Sequence, residues 1–161
     1  MLRTQLLAIE PDGSITLCEV KLRRNPEIRR QVIGQVLAYA AGLTAMTYEE
    51  VDREVSARSE HDSLPKTVLG SDADPGDLAS FVASVTARLR RGRFRLVLAV
   101  DELTDELRAT IDFLATHTDA EMELVAIEVA YARTGDVEVL VPRVFGAASA
   151  PKRSTKPAAA S

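Results

Sequence analysis

Glu19-Val20-Lys21 places a carboxylate and an ammonium two residues apart near the end of an apolar run, Ile15 to Lys21. In an extended strand, side chains alternate between faces, so Glu19 and Lys21 project together while Val20 turns away. Burying both charges beside Ile15 and Leu17 is costly unless they meet a partner or a ligand. Such a pair has a defined use in metal-assisted hydrolysis of a phosphodiester. The carboxylate holds a divalent cation that polarises the phosphate and acidifies a bound water. The ammonium positions that water and offsets charge on phosphorus. An i,i+2 ion pair on a half-exposed strand gives the same pattern, so context has to decide.

The elements that would position the pair are legible on either side of it. Thr4 to Glu10 is short and apolar, and Pro11-Asp12-Gly13-Ser14 is a turn in which Pro presets φ, Asp bonds back to the backbone and Gly accepts positive φ. Two strands and a polar turn predict a β-hairpin ending at Glu19 and Lys21. Asn25-Pro26-Glu27 then opens a helix as N-cap, first helical position and first-turn acid. Ile28, Val32, Val36, Tyr39 and Leu43 give that helix an apolar stripe. Thr47-Tyr48-Glu49-Glu50 is a capping box for a second helix ending near Arg58. Residues 59 to 73 read as a loop, and Asp74-Pro75 caps a third helix reaching about Arg91, with Leu78, Val82, Val85 and Leu89 facing inward. Phe94 to Val100 reads as a strand buried on both faces. A helix from Thr104 to about Thr116 follows, then strands at Glu121 to Ala132 and Val137 to Val144, with a turn at Gly135-Asp136. The order β-β-α-α-α-β-α-β-β predicts an α/β chain with a mixed sheet and helices packed on it. One domain is expected over 1–146, followed by a disordered Ala/Ser/Pro/Lys tail over 147–161.

Composition narrows the classes. With 161 residues, 46% hydrophobic and 27% charged, the chain has the balance of a globular protein, and its core must be aliphatic because Trp is absent. No apolar run reaches the roughly 20 residues of a membrane-spanning helix, and no signal-peptide pattern opens the chain. The single Cys18 lies within a strand pattern and reads as a buried, reduced thiol. A cytoplasmic protein is expected, with no membrane association. The net charge of −4 argues against a globally basic nucleic-acid binder, yet Lys21, Arg23, Arg24, Arg29 and Arg30 cluster beside the Glu19 strand. Arg88, Arg90, Arg91, Arg93 and Arg95 form a second group. Solvated surface explains either cluster equally well. His61 and His117 have no nucleophile or ligand cluster around them, and no Gly-rich phosphate loop or C-x-x-C is present.

The hairpin, the E-x-K at the end of its second strand and the Asn-Pro-capped helix directly after it resemble the core of the PD-(D/E)XK nuclease superfamily. Gln35-Val36-Leu37-Ala38-Tyr39 resembles the Q-x-x-x-Y element of several of its branches, and Gln35 and Tyr39, one turn apart, share a helix face. Arg93 to Leu103 and Val125 to Gly146 look like the downstream half of uncharacterised bacterial members. The resemblance implies a restriction endonuclease-like fold and a Mg²⁺- or Mn²⁺-dependent DNA phosphodiesterase. Glu19 would be a metal ligand, Lys21 the water-orienting amine, and Gln35 and Tyr39 would support the site. Arg23, Arg24, Arg29 and Arg30 would grip the DNA backbone.

Two departures qualify that expectation. The family carries a metal-binding Asp on the first hairpin strand, and the matching position here is Gln5, which brings an oxygen but no charge. Glu27 is the nearest candidate for a displaced carboxylate. The helix and strand that usually precede the hairpin are not in this sequence, so either the chain is a shortened version or its true start lies upstream. Missing elements would leave one hairpin edge open and favour self-association. The sequence therefore leaves two functions standing: a metal-dependent endonuclease, degenerate at Gln5, and a non-catalytic nucleic-acid-binding or assembly module on the same fold.

Overall fold

The computed structural model describes residues 6–21, 26–58, 63–117 and 122–146, with the backbone alone at 21 and 26–31. Its first two strands, β1 (Leu6–Ile9) and β2 (Ile15–Lys21), pair antiparallel with Ile9 opposite Ile15 and Leu6 opposite Cys18. The turn forms as its residues dictate. Gly13 N–H donates to the Glu10 carbonyl at 2.8 Å, and the Asp12 carboxylate accepts from the Ser14 N–H at 2.8 Å and its hydroxyl at 2.9 Å. Gly13 sits at φ 80°, and a Cβ there would lie 2.7 Å from Ser84 Cβ. Gly13→Ala should therefore cost about 2–4 kcal/mol, combining left-handed strain with overpacking. Gly135→Ala, at φ 61° with nothing within 4 Å, should cost only the first part, about 1–2 kcal/mol. Urea unfolding of the two variants side by side checks the difference.

Helices α1 (Pro26–Thr44), α2 (Tyr48–Ser56), α3 (Leu64–Leu69) and α4 (Pro75–Arg91) follow, then β3 (Phe94–Val100), α5 (Asp105–His117), β4 (Glu123–Thr134) and β5 (Val137–Phe145). The sheet order is β1-β2-β3-β4-β5, with β2, β3 and β4 mutually parallel between two antiparallel hairpins. A mixed sheet with helices packed on it is thus the architecture. α2 carries the expected capping box, with Glu50 N–H donating to Thr47 and Thr47 N–H donating to the Glu50 carboxylate. α4 begins at Pro75 behind the Asp74 cap and ends at Gly92 in the left-handed conformation.

Three expectations need correction. The segment 59–73 is not all loop: α3 fills its middle, with Pro65 in the first turn where its missing N–H costs nothing. Asp52, from α2, accepts the Leu64 N–H and anchors that turn. On α4 it is Phe81, with Val85 and Leu89, that is fully buried, whereas Leu78 and Val82 are half-exposed, a shift in the phase of the helix face. β3 is buried on both faces only in part: Val97 is buried on the second face, but Arg95 is exposed and Ala99 half-exposed there. A single hydrophobic cluster joins Ile15, Leu17, Leu96, Leu98, Val100, Leu124 and Ala126 to buried residues of all five helices. Val97 and Val125 are also buried but lie outside that cluster, on the other side of the sheet. The described helices all pack on one face. The tail over 147–161, Asn25 and His61 lie outside the described residues.

Candidate functional site

Strand alternation puts Ile15, Leu17 and Glu19 of β2 on the face that α1 covers, and Glu19 is 1% exposed. It is the only charged side chain in the core among the described residues. Glu19 lies beside Leu98 of β3, which in turn lies beside Ala126 of β4, so its immediate floor is apolar. Lys21 pairs with Val100 one step further along, at the end of the strand; its side chain is outside the description. The carboxylate half of the expected pair is thus buried on the helix-covered face.

α1 presents Val32, Val36, Ala40 and Leu43 as its buried stripe. Gln35 and Tyr39 flank that stripe on one side, both half-buried. Gln35 Oε1 is buried without a hydrogen-bond partner among the described residues. Tyr39 lines a groove of about 470 Å³ together with Glu50, Arg53 and Glu54 of α2. Of this pair, Gln35 is the one that offers an unsatisfied polar atom to the interior, a costly arrangement that asks for a function.

Parallel pairing adds two carboxylates that the linear sequence did not single out. Asp101 follows the last residue of β3, and its Oδ1 is buried without a partner among the described residues. Glu128 of β4 pairs with Val100, but its Oε1 accepts the Leu103 N–H at 2.9 Å, so it caps the turn into α5. The signal for Asp101 was its position: ligands of parallel α/β sheets gather beyond the C-terminal ends of strands. Lys21 and Asp101 both stand at such ends.

Gln5, Arg23 and Arg24 lie outside the described residues, and Glu27, Arg29 and Arg30 fall in the part of α1 known only by its backbone. The second basic group does not join the site. Arg95 binds Glu123 at 2.7 Å and Arg88 reaches Asp12 at 3.7 Å, at the opposite ends of β2 and β3, roughly 20 Å from Lys21 at ~3.3 Å per residue. The Glu123 carboxylate raises the Arg95 pKa further, so this end is a closed ion pair. Cys18 faces the helix-free side and is half-exposed rather than buried as expected; partial burial followed by the charge of Glu19 pushes its thiol pKa up. His117 bonds the Phe113 carbonyl at 2.8 Å and stacks on its ring, a local helix-end contact.

Among the described residues, no three His, Cys, Asp or Glu side chains come together as a metal site. One buried carboxylate holds Mg²⁺ or Mn²⁺ only weakly, because binding scales with ligand charge. The described ligands therefore do not make a complete cation site. No helix among the described residues is long and apolar enough to cross a membrane. No protein-family model, curated protein or solved structure matches the chain.

Proposed function

We propose that this chain is a restriction endonuclease-like domain of the PD-(D/E)XK type: a metal-dependent DNA phosphodiester hydrolase that is degenerate at Gln5. The observation that supports the reading is Glu19, a carboxylate 1% exposed among aliphatic side chains at the end of a strand. Core positions of that kind are filled by Leu, Ile or Val unless a charge is needed there. In this reading Glu19 is the surviving metal ligand, Lys21 orients the attacking water, and Gln35 and Tyr39 support the site. Arg23, Arg24, Arg29 and Arg30 hold the DNA backbone, so affinity falls steeply with salt and carries little sequence information.

Calorimetry with Mn²⁺ tests the metal half of the proposal. Wild type should take up the ion weakly, with Kd of about millimolar, the range of carboxylate-poor sites. Glu19→Ala should take up none. Equal heats from the two proteins would remove Glu19 from any metal site. One feature favours the second reading, a non-catalytic DNA-binding or assembly module on the same fold: Gln5 supplies no charge where a second carboxylate is needed.

A further inference from the structure

The sheet has a second face, on which no described helix packs. Alternation fixes its members. On β4 the row reads Glu123, Val125, Ile127, Val129, Tyr131, Arg133. The register adds Val97 and Ala99 from β3, Cys18 and Val20 from β2, and Leu140, Pro142 and Val144 from β5. β4 leaves β3 after Glu128, and from Val129 onward it pairs only with β5. The two strands thus form an arm beyond the body of the sheet. Leu140 is 66% and Tyr131 59% exposed on the arm. Its apolar row runs through the half-exposed Ile127 and Val129 to Val125 and Val97, which are themselves buried.

We infer that two copies of this chain pair face to face through this surface, about a twofold axis crossing β4 between Ile127 and Val129, with each arm lying over the Val97 and Val125 end of its partner. This inference is independent of the nuclease reading. Three observations select a second copy as the occupant. The β4 row has four apolar residues bounded by an acid at one end and a base at the other. A twofold at its centre sets Arg133 over the partner's Glu123, twice. That self-complementarity is what an isologous interface requires.

Each end of the row is also neutral within its own copy, through Arg95–Glu123 at 2.7 Å and Arg133–Glu138 at 3.8 Å. Stacking one end on the other therefore brings no like-charge penalty. The area is right as well. Five strands ~4.8 Å apart, from four residues in β1 to twelve in β4, present a face of roughly 600 Å² with its polar rim included. A stable interface takes about 800 Å² from each partner, the same order as this face.

Sedimentation velocity on the full chain across a hundredfold concentration range is the first measurement. A reversible monomer–dimer equilibrium with dimer at micromolar concentrations is expected. Leu140→Glu, at an exposed position, should shift the dissociation constant at least tenfold while leaving the circular dichroism spectrum unchanged. Arg133→Glu, which sets like charges opposite each other, should weaken pairing in the same direction. Cys18, the only thiol and a member of the same face, supplies a readout that needs no variant. Its maleimide labelling in wild type should slow as protein concentration rises through the dimer range. A monomer at all concentrations overturns the inference. So does a dimer that survives Leu140→Glu with Cys18 labelling independent of concentration, since pairing would then run through a strand edge or the helices.

Discussion

Gln5→Asp is expected to give a protein that nicks supercoiled plasmid in Mg²⁺ or Mn²⁺, at a rate about 10²–10³-fold above wild type, the scale on which one well-placed electrostatic group changes catalysis. Glu19→Ala in the Gln5→Asp background should remove the gain completely. The argument is one of ligand charge. Glu19 brings a single carboxylate, and a divalent cation held by one carboxylate and a neutral amide is bound too weakly to be loaded at physiological concentrations. Adding the second carboxylate restores the charge at the position where the resembling family carries it. If Gln5→Asp folds, binds DNA as wild type does and still leaves plasmid intact, the hydrolase reading fails and the non-catalytic module replaces it.

Leu98→Ala should lower stability by about 2–5 kcal/mol, the range for truncating a fully buried leucine. Leu98 is 0% exposed and stands between Glu19 on β2 and Ala126 on β4. Its isobutyl group is the floor against which Glu19 is held, and Ala126 has no side-chain length with which to fill the space. The loss should appear in urea as a lower midpoint with an unchanged slope. In the Gln5→Asp background it should also depress nicking more than an equally destabilising truncation on α4, such as Val85→Ala, measured well below the melting transition. Equal activity losses for equal stability losses would separate Leu98 from the site.

Much of the fold was readable because its signals are local. The Pro11–Ser14 turn follows from Asp12 bonding to Ser14, and the start of α2 from the reciprocal contacts of Thr47 and Glu50. Phe94–Val100 was read to the residue because an apolar run ends at charged or glycine neighbours on both sides. What escaped depends on residues far apart in the chain. α3 has six residues, too few for a period, and its first turn is held by Asp52, twelve positions earlier. The side-chain phase of α4 turned on which of Leu78 and Phe81 meets the sheet, which periodicity alone does not rank.

The site divides the same way. Glu19 was legible from its strand, since alternation sends it to the face of Ile15 and Leu17. Asp101 and Glu128 reached the same end of the sheet only through parallel pairing between segments that no hairpin joins. The open face was invisible because Leu96-Val97-Leu98 looks the same whether one or both sides are covered.

The parallel partnership of β2 and β3 has a kinetic corollary. More than seventy residues separate Lys21 from Phe94, so the two outer hairpins can close early while the central seam must wait for a large loop to be brought together. On the ribosome, Glu19 emerges long before Leu98 does. The acid thus spends that interval hydrated, and its transfer into the interior belongs to the late, cooperative step that unites the two halves of the chain.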